Sequence, residues 1–251
     1  MQIKRFVLLW FLYVATPAAA DDIRLAVASN FLGPVQAIAR AFEKDSGHRV
    51  RISSGSTGKL YAQIVNGAPY DLFLAANARE PERLESEGRI APGSRYTYAL
   101  GVLALWAPAA QKASPAGTLT APIDATTQRV AIANPKTAPY GAAAEAVLKA
   151  WGQWDALQGR VIRGENIAQA YQFAASGNAG FGFVALSQML DPDRQPAGHY
   201  WRVDDRLYPP IRQQLVLLKR AADKPAATAF WQYLKSSVAR QQIVAFGYGL
   251  E

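Results

Sequence analysis

A short polar loop at residues 52–60, Ile-Ser-Ser-Gly-Ser-Thr-Gly-Lys-Leu, has the composition of an anion-binding site. A strand pattern precedes the loop and apolar residues at helical spacing follow it, so the loop marks the start of a helix. The first N–H groups of a helix have no partner within it and carry partial positive charge, which attracts anions. Gly55 and Gly58 would let such N–H groups approach a ligand, and Ser56 and Thr57 could add hydroxyl donors. Taken alone, a loop of this kind is more often only a helix cap.

Three further junctions between a strand and a helix carry the same chemistry. Ser29 and Asn30 follow the first strand, residues 134–141 lead into another helix, and residues 164–167 open a fourth. Each junction would place hydroxyl, amide or backbone N–H donors at a helix N-terminus. Four such ends, two from each half of the chain, could converge on one tetrahedral dianion whose oxygens only accept hydrogen bonds.

The segments that must position these loops alternate between strand and helix patterns, which predicts an α/β fold with parallel sheets. Apolar runs predict strands near residues 23–28, 70–76, 98–107, 129–133, 179–186, 199–203 and 214–218. Helix patterns are found at residues 34–47, 80–87 and 226–244, the last with at most one break near residues 236–237. Residues from about 109 to 127 are predicted to form a loop because Ala, Pro, Thr and Ser dominate there.

The N-terminus has the organisation of a secretory signal peptide. Lys4 and Arg5 precede a short apolar run, and residues 18–20 supply the small side chains that a signal peptidase needs. We therefore expect residues 1–20 to be removed near Ala20 and the protein to be exported in soluble form. The mature chain, about 230 residues, is long enough for one large domain or two modest ones.

Composition and spacing exclude several other kinds of site. The chain has no cysteine, so a thiol nucleophile and a thiolate metal site are excluded. The formal net charge is +8, but basic residues are scattered among acidic ones, so no nucleic-acid surface is expected. His48 and His199 lie beside no nucleophile motif, and Asp204 and Asp205 have no third ligand at metal spacing. A binding protein is favoured, with a secreted hydrolase as the weaker alternative.

Four stretches of the chain coincide with the pattern of one protein family. They are residues 28–32 (ASNFL), 54–60 (SGSTGKL), 62–73 (AQIVNGAPYDLF) and 182–186 (GFVAL). Together they resemble the periplasmic molybdate-binding proteins, the solute-binding components of ABC importers. The resemblance runs over nearly the whole mature chain, and its Gly-Ala-Pro-x-Asp stretch is fairly specific.

The resemblance implies a two-lobed α/β fold of the type II periplasmic binding proteins. Each lobe would be a mainly parallel sheet flanked by helices, and the chain would cross twice between lobes. Lobe 1 would comprise residues 21–100 and 208–251, and lobe 2 residues 101–207. A monomeric periplasmic receptor of this family would hold molybdenum or tungsten only as an oxyanion, use no further cofactor and deliver the anion to an ABC permease.

The resemblance also implies five contacts with the anion. They are Ser29 and Asn30 from the first loop, Thr57 from the second, Tyr140 before the third helix and the backbone amide of Ile167 before the fourth. Ser56 competes with Thr57 for the same role, and Asn166 is a further candidate. Some members have a tyrosine where this chain has Ala185, so that contact should be missing, and the phenol of Tyr140 could replace it.

Loops that offer only donors also restrict the choice of anion. Phosphate carries a proton at neutral pH and needs an acceptor, so it is disfavoured, although Glu165 lies close enough to leave that point open. Sulfate is fully ionised and could be rejected only through pocket size, so a sulfate-binding protein is the alternative. Molybdate and tungstate are not expected to be separated. Lys59, Lys136 and Arg163 flank the loops and are expected to be solvated charges.

Overall fold

Two five-stranded sheets, each flanked by helices, form the two lobes of the protein. The computed structural model describes residues 20–108, 123, 128–194 and 196–251. In chain order the strands are β1 (Asp22–Ala28), β2 (Arg49–Gly55), β3 (Leu72–Leu74), β4 (Tyr96–Gly101), β5 (Leu103–Ala107), β6 (Val130–Ala133), β7 (Val161–Gly164), β8 (Phe181–Ala185), β9 (His199–Arg202) and β10 (Ile211–Leu217). The α-helices are α1 (Leu32–Ser46), α2 (Thr57–Val65), α3 (Arg79–Ser86), α4 (Pro139–Ala150), α5 (Ile167–Ala175), α6 (Leu186–Met189), α7 (Pro225–Tyr233) and α8 (Ser237–Ala245).

The sheets share one topology. The first has the strand order β2-β1-β3-β10-β4 and the second β7-β6-β8-β5-β9. In each sheet four strands run in one direction, and a single strand, β10 or β5, runs against its neighbours. Residues 22–28 of β1 pair in parallel with residues 49–55 of β2. The prediction of two lobes with mainly parallel sheets is confirmed, with one reversed strand in each.

The chain passes between the two sheets twice. β4 ends at Gly101 and β5 starts at Leu103, so the long apolar run at residues 98–107 is divided at Val102 between two sheets. The return connection lies between the end of β9 and Ile211 at the start of β10. The boundary predicted at 100/101 falls before the last residue of β4 and the one at 207/208 falls between β9 and β10, and both stay predictions.

Apolar side chains cover both faces of the first sheet. Ile23, Leu25 and Val27 of β1 belong to the core beneath α1, α7 and α8. Ala26 faces the other way and packs in a second core with residues of α2 and α3. Because both faces are buried, such strands appear in the sequence as continuous apolar runs rather than as an alternating pattern.

Local signals fix the helix ends. α1 ends at Gly47, which has a φ of 75° and donates its N–H to the carbonyl oxygen of Glu43 at 2.9 Å. The predicted break in the last helix is confirmed, because Ser236 accepts the N–H of Ala239 at 3.2 Å and starts α8 as a separate helix.

Asp71, the acidic residue of the Gly-Ala-Pro-x-Asp stretch, is a structural anchor. Its buried carboxylate accepts the backbone N–H of Arg24 at 2.8 Å, the ammonium group of Lys224 at 2.8 Å and the guanidinium group of Arg220 at 3.1 Å. These contacts join β1, the start of β3 and the C-terminal segment. The acidic residue of this motif therefore stabilises lobe 1 and does not line the candidate pocket described below.

Two of the sequence predictions concern segments that the structure does not describe. The predicted signal peptide, apart from Ala20, and nearly all of the loop at residues 109–127 lie outside the described residues. Within the described part of the chain, no helix has the length and apolar character needed to cross a membrane.

Candidate functional site

One small pocket between the lobes gathers every residue predicted to contact the anion. The space between its walls, including the part that is open to solvent, is about 190 Å³. The predicted residues that line it are Ser29, Asn30, Ser56, Thr57, Tyr140, Asn166 and Ile167. The loops after β1 and β2 form the wall from lobe 1, and the N-terminal ends of α4 and α5 form the wall from lobe 2. The convergence expected from four separate junctions is thus present, and the individual anion contacts stay predictions.

In the first loop, the side chain of Asn30 is already used by the fold. Its amide nitrogen donates to the side-chain oxygen of Gln213 at 2.8 Å and to the phenol oxygen of Tyr248 at 3.0 Å. An amide nitrogen has two hydrogens, so both have partners. Asn30 can therefore offer the pocket its backbone N–H, whereas Ser29 beside it is buried and offers a hydroxyl as well.

The second loop supplies two hydroxyls that differ in their hydrogen bonding. Thr57 Oγ1 accepts the N–H of Ala76 at 3.0 Å, which leaves the hydroxyl proton of Thr57 for another acceptor. Ser56 Oγ is buried and has no hydrogen-bond partner among the described residues. An unpaired buried hydroxyl costs roughly 1–3 kcal/mol, which a bound anion would recover. The structure therefore keeps both Ser56 and Thr57 as candidates.

Gly58 takes part in a contact between the lobes. Its N–H donates to the carbonyl oxygen of Thr137 in lobe 2 at 2.9 Å. The second amide of α2 is therefore used in a contact between the lobes. Gly55, in contrast, lines the pocket as expected.

At the start of α5 the cap leaves the first backbone amide of the helix without a partner from the cap. Asn166 is the N-cap, and its side-chain oxygen accepts the N–H groups of Ala168 at 3.0 Å and Gln169 at 3.1 Å. The Ile167 amide is the first N–H of the helix and is not taken by the cap, which agrees with the role implied for it. Asn166 itself has the capping role, and only its amide hydrogens could reach an anion.

The backbone and the phenol of Tyr140 have different surroundings, and a contact between the phenol and the anion stays a prediction. It is the second residue of α4, after Pro139, so its backbone N–H has no partner within the helix. Its phenol oxygen instead accepts a hydrogen bond from the side-chain amide of Gln213 at 3.3 Å. Burial, and next the neighbouring phenol of Tyr248, raise the pKa of Tyr140 well above its usual value, so the phenol is neutral at physiological pH.

A buried polar network behind the pocket is not predicted by the sequence patterns. Gln213 is fully buried and also accepts a hydrogen bond from the phenol of Tyr98 at 2.9 Å. The hydroxyls of Ser187 and Tyr248 both donate to the carbonyl oxygen of Asn30, at 2.9 and 2.8 Å. Ser187 belongs to lobe 2, so this network links the lobes beside the candidate site. The one signal in the sequence is the pair Gln213 and Gln214, which directly precedes the apolar run at residues 215–218.

The pocket walls carry no formal charge. Among the described residues that line the pocket, none has an acidic or basic side chain. Glu165 forms an ion pair with Lys59 across the cleft, where both side chains are about half exposed. The carboxylate that left the phosphate question open is therefore paired outside the pocket. Lys136 and Arg163 are exposed, as expected, although Arg163 also lies over the ring of Trp154.

Residues considered for enzymatic or metal chemistry lie elsewhere. His48 accepts the N–H of Asp21 at 3.3 Å, and His199 is on the exposed strand β9. Asp204 pairs with Arg206, whose guanidinium hydrogen bonds lower the pKa of that carboxyl to about 2. In the part of the chain that the structure covers, no cluster of three acidic, histidine or cysteine side chains could hold a metal ion.

Comparisons with known proteins agree with the geometry. Residues 23–249 match the sequence model of a family described as bacterial extracellular solute-binding proteins. The chain is 47% identical to the molybdate-binding protein ModA of Azotobacter vinelandii over 238 residues, which cover 95% of this chain and 94% of the relative. It is 42% identical to ModA of Rhodobacter capsulatus over 238 residues, or 95% of this chain and 92% of the relative.

A solved structure extends the likeness to three dimensions. The periplasmic molybdate-binding protein of Azotobacter vinelandii superposes on the chain with a TM-score of 0.84 at 41% sequence identity. The match covers 91% of this chain and 99% of that protein.

Proposed function

Because the chain belongs to the bacterial extracellular solute-binding proteins and, within them, to the periplasmic molybdate-binding proteins, we propose that it binds molybdate or tungstate between its lobes. The bound anion would then be delivered to the permease of an ABC importer. The observation that carries this proposal is the convergence of donors from four loops on one uncharged pocket.

The donor set suits a fully ionised tetrahedral oxoanion. The hydroxyls of Ser29, Ser56 and Thr57 and the amides of Tyr140 and Ile167 can each donate, and a dianion offers only acceptors. Hydrogen bonds from neutral donors to a charged acceptor are stronger than those between neutral groups. The partial positive charge at the starts of α2, α4 and α5 adds to the attraction.

Neutral donors also suit a transport protein, which must release what it binds. A buried arginine or lysine would add a strong charge interaction, and the walls described above contain neither. Closure of the lobes shields the anion from water and so strengthens each hydrogen bond, and opening reverses this gain. Affinity would then depend on whether the lobes are closed.

Phosphate is disfavoured for a reason specific to this pocket. The hydrogen phosphate ion must donate its proton to an acceptor, and the nearest carboxylate identified from the sequence, Glu165, is paired with Lys59 outside the pocket. Leaving that proton without an acceptor costs free energy that molybdate does not lose. Sulfate carries no proton at neutral pH, so its rejection would have to come from its smaller size.

Isothermal titration of the mature protein with molybdate, tungstate, sulfate and phosphate tests the proposal. We expect tight binding of molybdate and tungstate with similar affinities, and at least about tenfold weaker binding of sulfate and phosphate. Sulfate binding as tight as molybdate binding would make the protein a sulfate receptor. Binding of none of the four anions would overturn the proposal.

Export, oligomeric state and lack of catalysis complete the proposal. The mature protein would be a periplasmic monomer that starts near Asp21 and releases its ligand chemically unchanged. Mass spectrometry of the secreted chain, size-exclusion chromatography and turnover assays with generic esters and phosphoesters test these three statements. An uncleaved N-terminus, a stable dimer or hydrolysis would each contradict the corresponding one.

A further inference from the structure

A direct backbone contact joins the two lobes at the edge of the pocket. Gly58, the second residue of α2 in lobe 1, donates its N–H to the carbonyl oxygen of Thr137 in lobe 2 at 2.9 Å. The second amide of a helix has no partner within the helix, so the opposite lobe satisfies it. The first turn of α2 therefore rests directly on the loop before α4.

A residue larger than glycine would crowd the two backbones at this point. A Cβ atom added at Gly58 would lie 3.2 Å from the carbonyl oxygen of Thr137 and 3.3 Å from its Cα atom. Both distances are shorter than ordinary van der Waals contact, and both atoms belong to the backbone. With a side chain at position 58, the neighbouring backbone of Thr137 would have to give way by a few tenths of an ångström.

The loop that accepts this hydrogen bond, residues 134–138, is held by hydrogen bonds of its own. The carbonyl oxygen of Asn134 accepts the N–H groups of Thr137 at 3.2 Å and Ala138 at 2.9 Å, and the Asn134 side chain accepts the N–H of Lys136 at 3.1 Å. A turn held by three hydrogen bonds cannot move away easily. Separation of the lobes is then the easier response to an added side chain.

The contact lies next to residues on both walls of the pocket. Thr57 immediately precedes Gly58, and Tyr140 follows Thr137 by three residues. The distance between these walls is therefore tied to the distance between Gly58 and Thr137. The neighbouring ion pair of Lys59 and Glu165 joins long, half-exposed side chains, which can adjust without fixing that distance.

We propose that Gly58 and Thr137 act as a stop for lobe closure that sets the width of the pocket and thereby the size of the dianion accepted. This inference rests on the proposed function, because it concerns discrimination among tetrahedral oxoanions. With the walls held at one spacing, an anion of matching size reaches donors on both sides. A smaller anion reaches fewer of them and leaves buried donors unpaired.

The variant Gly58→Ala tests the stop because it widens the pocket without removing a donor. The affinities for sulfate and chromate, which are smaller than molybdate, should fall roughly three- to tenfold more than the affinity for molybdate. The melting temperature of the anion-free protein should stay the same or rise, since alanine favours a helix more than glycine does. Titration calorimetry with the three anions and thermal unfolding measure both effects. Gly58→Val should increase the discrimination further.

Gly159→Ala is the matched control, because a Cβ atom at Gly159 meets no atom within 4 Å. It should leave the ratios of the dissociation constants unchanged. If wild type binds molybdate and Gly58→Ala has the same ratios as wild type, the inference is wrong while the proposed function stands. An equal loss of affinity for all three anions would also overturn the inference. The alanine would then hinder lobe closure for every anion instead of changing the pocket width in favour of one anion size. If wild type binds no oxoanion, the proposed function itself fails.

Discussion

At the scale of single residues, polar side chains at helix starts divide into those used by the fold and those free to bind. Asn30 and Asn166 make their hydrogen bonds within the protein, to a buried network and to helix amides. Thr57 does both, because it accepts one hydrogen bond and keeps a proton to donate. Ser56 has no partner among the described residues. All four side chains are polar, but they differ in the hydrogen-bonding groups that they leave free for a ligand.

Ser56 and Thr57 should respond differently to loss of their hydroxyls. Ser56→Ala should weaken molybdate binding about 10- to 100-fold, because a hydrogen bond to a charged group contributes roughly 1.5–3 kcal/mol. The free energy of unfolding of the anion-free protein should be unchanged or higher. Thr57→Val should weaken binding and also cost about 1–3 kcal/mol of stability, because the N–H of Ala76 loses its partner. Titration calorimetry and urea unfolding distinguish the two, and unchanged affinity in Ser56→Ala would contradict its assignment.

At the scale of elements, the pocket depends on where helices begin. α2, α4 and α5 point their first turns at one place because each follows a strand that ends at the pocket edge of its sheet. The cap residues decide which amides remain for a ligand. At α5 the cap takes two amides and leaves Ile167, and at α2 the opposite lobe takes the amide of Gly58.

Substitutions at Asn166 can separate the effect of helix capping on stability from the effect of charge on anion binding. Asn166→Asp should keep the stability within about 0.5 kcal/mol, because aspartate caps helices as well as asparagine. It should weaken molybdate binding more than tenfold, because the added negative charge lies at the pocket edge. Asn166→Ala should cost about 1 kcal/mol of stability and weaken binding less.

The control for this charge effect is Ser236→Asp, which changes the cap of α8 in the same way outside the pocket lining. Its affinity for molybdate should equal that of wild type. Calorimetry and thermal unfolding measure the whole set. Equal affinities for Asn166→Asp and Asn166→Ala would show that charge at this position is unimportant.

At the scale of the whole molecule, the lobes are joined by buried polar groups around the pocket. Ser187 and Tyr140 of lobe 2 reach Asn30 and Gln213 of lobe 1. The phenols in this region are buried, and burial is the main cause that raises the pKa of Tyr98 and Tyr140 well above the usual value and that of Tyr248 to about 12. The interface between the lobes thus depends on phenols that keep their protons.

This burial predicts a loss of stability at alkaline pH. An unfolded tyrosine ionises near pH 10, whereas the folded protein keeps these protons to higher pH, so rising pH favours the unfolded state. Stability should be unaffected by these groups below about pH 9. Above pH 10 it should fall by about 1.4 kcal/mol per pH unit for each tyrosine, until Tyr248 itself ionises near pH 12.

Urea unfolding between pH 7 and 11 measures the effect. Above pH 10, Tyr248→Phe should make the free energy of unfolding fall less steeply with pH, by the contribution of one proton. Molybdate affinity should be constant from about pH 6 to 9, because no acidic or basic side chain is found among the described pocket lining. A stability that does not change up to pH 11 would contradict the assignment of these phenols.

The amino-acid sequence is enough to establish the alternating strands and helices, the donors at four helix starts, the absence of thiol chemistry and the family pattern. These depend on short-range signals, such as the caps, the glycine at the end of α1 and apolar spacing, which act within a few residues. For the same reason the sequence places Ser29, Ser56 and Thr57 at the junctions where those signals occur, whereas the role of the Ile167 amide is implied by the family resemblance.

Which of those donors are free depends on the tertiary structure. Asn30 finds its partners 183 and 218 residues away, at Gln213 and Tyr248, and Ser187 reaches its carbonyl from 157 residues away. The amide of Gly58 is likewise taken by Thr137 of the other lobe. Hydrogen bonds depend on distance and direction in space, and a one-dimensional pattern contains neither for residues that meet only when two lobes close.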